Sequence, residues 1–518
     1  MTAVYVGVGI YFACMIMVGY VVKSKVKTAE GYLVAGRAFG LLQNSMALTA
    51  CFLGGSLVLS VPGLTLKYGV WSDDAMWGAT AVIGGIFLLV IIGFFYMPQL
   101  WRLKLLSLGD YFYLRFGKTT GLLVSLVMAG TFVFYIGVQI LVFAKVCTAF
   151  MGWPLVTAAI IGIGIVTIYT VLGGLWAIMA TDMIQVFLVA IGIIVLTPIA
   201  ISLVGGWEGF TSQMDASKLQ MLPQVPESSA WLAWLASLSL VGIGGIVSPD
   251  IMQRAFAAKT PGVAKNSAWV AFVVKTGLTV LMVILALVGG ILISNGTISL
   301  TGDLNGDHEL IVPVMVKNLL PTPLMIIFLG ACLSAVMGAA SSALLAMAAM
   351  ISKNLWKDFL KPETTDKELV LVSRICVVVF ALIALYLALR MKFVYMLMAF
   401  GFDLIMSSLL ACMTLGMYWK KANKYGAMAS IISGLLVRVI GAGLENGFTL
   451  EGVASSSPSW YVYTLAAPVV SFIVMWSVSL ATQKVNPSNE FGFHFDENGD
   501  VIRPEKENSP VVPETSAA

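Results

Sequence analysis

ALTACFLGGSLVLSVPG, residues 47–63, is apolar enough for lipid yet carries Gly54–Gly55 in its middle. Further along, LVGIGGIVSPDIMQR, residues 240–254, repeats the defect with Gly244–Gly245 and then Pro249. Glycine weakens a helix, and proline removes a hydrogen bond from it. In hydrocarbon the freed N–H and C=O groups need partners, so such breaks belong where protein or a cavity surrounds them. The two interrupted stretches lie five apolar segments apart. That spacing predicts an inverted five-plus-five repeat pairing segments 2–6 with segments 7–11. The alternative is that these glycines only let helices pack closely.

Composition supports a lipid setting. The 518-residue chain is 59% hydrophobic and only 11% charged. Its mean hydropathy is +0.94, and charge is less than half the ~25% usual in soluble domains. Apolar runs such as AVIGGIFLLVIIGFFYM (81–97) are continuous and do not alternate, so a β-barrel is excluded in favour of an all-α polytopic membrane protein. A soluble enzyme, a disordered chain and a nucleic-acid binder are excluded too. Cys14, Cys51, Cys147, Cys332, Cys376 and Cys412 all fall in apolar runs without a CxxC pair, as expected of small core residues. No catalytic or cofactor-binding motif is present, so no enzyme activity and no cofactor are expected. DLNGDHELIV (303–312) carries acids at calcium-loop spacing, but His308 replaces the required glycine and no closing glutamate follows.

Hydropathy outlines thirteen segments, near 4–22, 41–61, 76–97, 121–147, 155–174, 182–204, 231–256, 268–294, 324–352, 369–389, 393–418, 425–444 and 461–482. One set of loops holds clusters such as Lys23, Lys25, Lys27 and Arg37, or Lys353, Lys357, Lys361 and Lys367. The alternate loops hold only Lys67, Lys218, Lys317, Arg390 and Lys392. The positive-inside rule then places the N-terminus outside and the C-terminus in the cytoplasm. The predicted organisation is an extra helix and first loop (1–40), a first repeat (41–204), an outer loop (205–230), a second repeat (231–418), two further helices (419–484) and a disordered tail (485–518).

Charges at membrane depth mark pathways or pairs. Lys145 and Arg438, near segment ends, are read as snorkelling to the interface. Asp250 and Arg254, four apart on one helix, are expected to pair. Asp182, with Thr181, has the character of a helix cap. Lys275 and Asp403 lie deeper, and Lys275 is expected either to face a cavity or to pair with a buried acid such as Asp403. Segment 9, MIIFLGACLSAVMGAASSALLAMAAMISKNLW (325–356), is rich in small residues. Its Ser341 and Ser342 suit either close packing or oxygen ligation of a cation.

GGLWAIMATDMIQ (173–185), PDIMQRAFAAK (249–259) and GAMASIISGL (426–435) resemble signatures of the sodium:solute symporters, a family with the LeuT-type fold. TACFLGGS (49–56), ELIVPVMVKNLLP (309–321), SAVMGAASSALLAMAAMISKNLW (334–356) and KYGAMASIISGLLVRVIG (424–441) look most like its high-affinity choline branch. The resemblance implies a secondary active transporter moving a small organic solute with a coupling cation, Na+ or H+, across a plasma membrane such as a bacterial inner membrane. The main sodium site of the family maps to the carbonyls of Ala50, Leu53 and Ala335. Its two hydroxyl positions fall on Gly338 and Ala339, which have no hydroxyl. An accessory sodium position maps to Asp182, Ser341 and Ser342. The implied substrate residues are Phe52, Gly54, Met76, Ser248 and Lys275. Phe52 and Ser248 stand where the choline branch has tryptophans, and Lys275 disfavours a cationic solute while suiting a carboxylate, a zwitterion or a hydroxylated neutral molecule. Cation coupling through a degraded site, proton coupling, uncoupled transport and a solute sensor without sustained flux remain open.

Overall fold

The structure, a computed structural model, describes residues 2–299, 306–390, 394–447 and 459–485. Among these residues the regular structure is helical, with two isolated β-bridges. The principal helices are α1 (Thr2–Val22), α2 (Leu41–Phe52), α3 (Ser56–Tyr68), α4 (Thr80–Arg102), α5 (Lys118–Met151) and α6 (Leu155–Leu203). They continue with α7 (Ser228–Val247), α8 (Pro249–Ala257), α9 (Pro261–Ser294), α10 (Thr322–Leu360) and α11 (Asp366–Arg390). The last three are α12 (Val394–Tyr418), α13 (Lys424–Asn446) and α14 (Trp460–Ala481). The calcium-like stretch lies partly outside the described residues, and so does nearly all of the tail.

Among the described residues, eleven helices are long and apolar enough to cross a membrane, and α2 with α3 forms a further pair bent by 54°. Segments 5 and 6 of the sequence are the two halves of α6. A straight 49-residue helix would measure about 74 Å, far beyond a ~30 Å hydrocarbon core. It is divided at Gly174, whose φ of 53° and ψ of −142° leave the helical region. Most helices overrun the hydropathy limits by a few polar residues at their ends. In α10 two of these, Lys353 and Asp358, meet at 2.6 Å.

Burial separates inner from outer helices. In the most apolar window of each, 83% of α5, 78% of α10 and 83% of the 398–418 part of α12 is buried. For α1 and α14 the share is 28%, so these two lie at the periphery. Both predicted breaks are present. The first falls between Phe52 and Ser56, and the second between α7 and α8, where Pro249 opens the new helix. Small residues permit the close approaches: a Cβ on Gly242 would lie 2.9 Å from the Gly84 carbonyl oxygen.

Candidate functional site

The break between α2 and α3 frees main-chain groups, and α5 supplies their partners. Tyr135 donates its hydroxyl to the Cys51 carbonyl at 2.9 Å. The Gly55 N–H donates to Gln139 Oε1 at 2.8 Å. The Ala50 carbonyl accepts from Leu53 N at 3.2 Å. One of the implied cation-ligating carbonyls, that of Ala50, is thus engaged in this internal turn. Gly54 is a packing position: a Cβ there would meet Gln139 Oε1 at 2.6 Å and Ala339 Cβ at 2.8 Å.

Arg254, on α8, is wholly buried. Its Nη2 donates to Asp182 Oδ2 on α6 at 3.0 Å and to Ser342 Oγ on α10 at 2.5 Å. Ser342 in turn donates to the Gly338 carbonyl at 2.8 Å, and Ser341 to the same oxygen at 3.0 Å. A guanidinium therefore stands among the residues implied for the accessory sodium. At the main site a side chain on residue 338 has no room, since a Cβ on Gly338 would lie 2.5 Å from Gln185 Oε1 and 3.0 Å from Asp182 Oδ1. Those two buried oxygens have no donor as placed.

Four sequence expectations are decided here. Arg254 touches Asp250 only through that residue's carbonyl, at 3.4 Å, because the Asp250 carboxylate is already engaged by Ser248 Oγ at 2.5 Å and Ile251 N at 2.8 Å. Asp182 and Thr181 cap no helix. This half of α6 begins at Gly174, so both lie about two turns inside it, and Thr181 bonds back to the Ala177 and Ile178 carbonyls. Lys275 does not reach Asp403, whose carboxylate is held by Arg438 and Thr464. Lys145 and Arg438 are ion-paired instead of snorkelling, Lys145 with Asp307 and Glu309 at 2.7 Å each.

A small cavity of about 20 Å³ beside the first break is lined by Phe52, Ser248, Asp250 and Lys275, together with Tyr135 and Phe402. Lys275 is 4% exposed and its Nζ stands 4.5 Å from the centre of the Phe52 ring. Met76 is elsewhere. It sits in the tight turn before α4 with φ of 48°, where Ser72 and Trp77 pair, because the helix starts only at Thr80. Of the implied substrate set, Phe52, Ser248 and Lys275 are brought together. Sequence reasoning missed Arg254 as the cation beside Asp182, and also missed Tyr135, Gln139 and Gln185. The only sequence signal for these was a polar residue inside an apolar run.

A family model described as Sodium:solute symporter family matches residues 32–434. The chain belongs to the sodium:solute symporter family. High-affinity choline transporter 1 of Caenorhabditis elegans is 24% identical over 508 residues, covering 94% of this chain and 85% of that protein. The osmoregulated proline transporter of Bacillus subtilis is 24% identical over 485 residues, covering 91% and 94%. A Na+-coupled sialic acid symporter, solved in a substrate-bound outward-open state, superposes with a TM-score of 0.77 at 17% identity, covering 92% of this chain and 98% of that one. This member of the family is thus an integral membrane protein of LeuT-type fold, a secondary transporter and not an enzyme.

Proposed function

We propose that this symporter-family member moves a small organic solute across the plasma membrane by alternating access, with the Arg254 guanidinium standing permanently where a coupling sodium would bind. One observation carries the reading: Arg254 Nη2 contacts both Asp182 and Ser342. Gly338 and Ala339 add to it, because neither supplies an oxygen side chain. The bent α2–α3 pair and the break before α8 flank the chamber, as midplane sites between discontinuous helices do. The test is uptake of labelled proline, choline, lactate and glucose into proteoliposomes. At least one of them accumulates or exchanges, and an inward sodium gradient leaves its rate unchanged. Absence of flux for every solute would reject the transporter reading. A sodium-driven rise of about tenfold or more would reject the role given to Arg254.

A further inference from the structure

Lys275 lines the cavity without an ion-pair partner among the described residues. Arg115, Arg254, Lys275 and Arg438 are the buried lysines and arginines among the described residues. Arg254 and Arg438 face aspartates, and Arg115 donates to the Gly416, Trp419 and Lys420 carbonyls. Lys275 has neither an acid nor a hydrogen-bond acceptor among the described residues. The buried acids nearby are engaged: Asp182 by Arg254, Asp250 by Ser248 and the Ile251 N–H, and Asp403 by Arg438 and Thr464. The Phe52 face offers only its quadrupole, a weaker partner than a full negative charge. Space is kept for the ammonium on its other side, because a Cβ on Gly85 would stand 2.8 Å from Nζ.

We infer that the solute supplies the missing charge: it is a carboxylate whose head group seats at Lys275 Nζ, with its body against Phe52 and Phe402. The inference rests on the transporter reading and names the substrate class of that site. The chemistry also sets an upper limit on solute charge. Asp250 also lines the cavity, so a second carboxylate on the solute would approach a residue of like charge. A quaternary ammonium would meet Lys275 and is disfavoured. The solute therefore carries one carboxylate.

Binding to the purified full chain in detergent tests this, with propionate, lactate and proline against their amides, and with succinate and choline as further probes. Binding is read by thermal shift and by isothermal titration. At least one monocarboxylate binds and its amide binds about tenfold more weakly or not at all. Lys275→Gln abolishes that preference, while Lys275→Arg retains it. Lys275→Gln removes a buried charge, so its unfolding temperature, measured alongside, shows whether the protein remains folded. Equal binding of acid and amide, tighter binding of choline or succinate, or an acid preference that survives Lys275→Gln overturns the inference. Failure of the transporter reading looks different: the monocarboxylate binds through Lys275, yet no flux of it enters proteoliposomes.

Discussion

Arg254 and Asp182 bury two full charges at 0% exposure, which water would otherwise solvate at far lower cost. Such a pair is close to neutral for stability while intact, but loss of one partner strands the other in a low dielectric. Asp182→Asn is expected to destabilise the detergent-solubilised protein by about 3–5 kcal/mol in denaturant unfolding. Arg254→Gln alone is expected to cost a comparable amount, and the double variant less than the sum of the two. Simple additivity of the two single effects would show that the charges do not depend on one another. Ser342 gives a smaller reading of the same contact. Ser342→Ala leaves Arg254 with its carboxylate and removes one hydrogen bond to a charged donor, so a loss of about 1.5–3 kcal/mol is expected.

Gly174 shows an element whose course depends on one residue. Its φ of 53° is left-handed, and a Cβ there would lie 2.5 Å from Tyr32 Cδ2 and from the Tyr32 carbonyl oxygen. Backbone strain of about 1–3 kcal/mol and a main-chain clash act together in Gly174→Ala. The expected result is a marked fall in unfolding temperature, whereas alanine at Gly164, with nothing within 4 Å, is tolerated. The loops between helices carry a second device. Asp73 accepts from the Gln224 N–H, Trp71 Nε1 and Gln220 Nε2, tying the turn before α4 to the 215–224 stretch. Partial burial pushes its carboxyl up, but these donors outweigh burial and hold it below its ordinary 3.8. A group lowered in the folded state stabilises above its ordinary value, and the contribution fades as pH falls through the lowered one. Protection of the Gln224 amide in hydrogen exchange, corrected for intrinsic rate, should therefore be lost in acid. Asp73→Asn should show reduced protection at neutral pH that changes little on acidification. The helices themselves were legible in the sequence because hydropathy and glycine or proline breaks are local signals. The ion pairs were not, because their partners are remote: Asp182 and Arg254 are 72 positions apart, and Asp403 and Arg438 are 35 apart. The i,i+4 rule pointed Arg254 at Asp250, the nearest acid along the chain, when the tertiary fold had already placed α6 closer.

At the scale of the whole transporter, the Arg254 cluster joins α6 of the first predicted repeat to α8 and α10 of the second. A sodium ion held there would couple the two by binding and leaving. On the proposed reading, the tethered guanidinium cannot leave, so its charge gives no differential affinity that a sodium gradient could act upon. Placing hydroxyls at the two positions that the family resemblance implies should not by itself confer sodium dependence. In Gly338→Ser/Ala339→Ser the new Cβ at 338 meets Gln185 Oε1 at 2.5 Å, the Cβ at 339 already faces Gly54, and Arg254 still occupies Asp182. Solute flux by this double variant is expected to remain indifferent to an inward sodium gradient in proteoliposomes. Adding Gln185→Ala clears the space beside residue 338 but leaves Arg254 on Asp182, so indifference to sodium is expected to persist in this triple variant too. A double variant that is sodium-driven from the outset would place the block to coupling in the two missing hydroxyls alone and leave Arg254 no part in it.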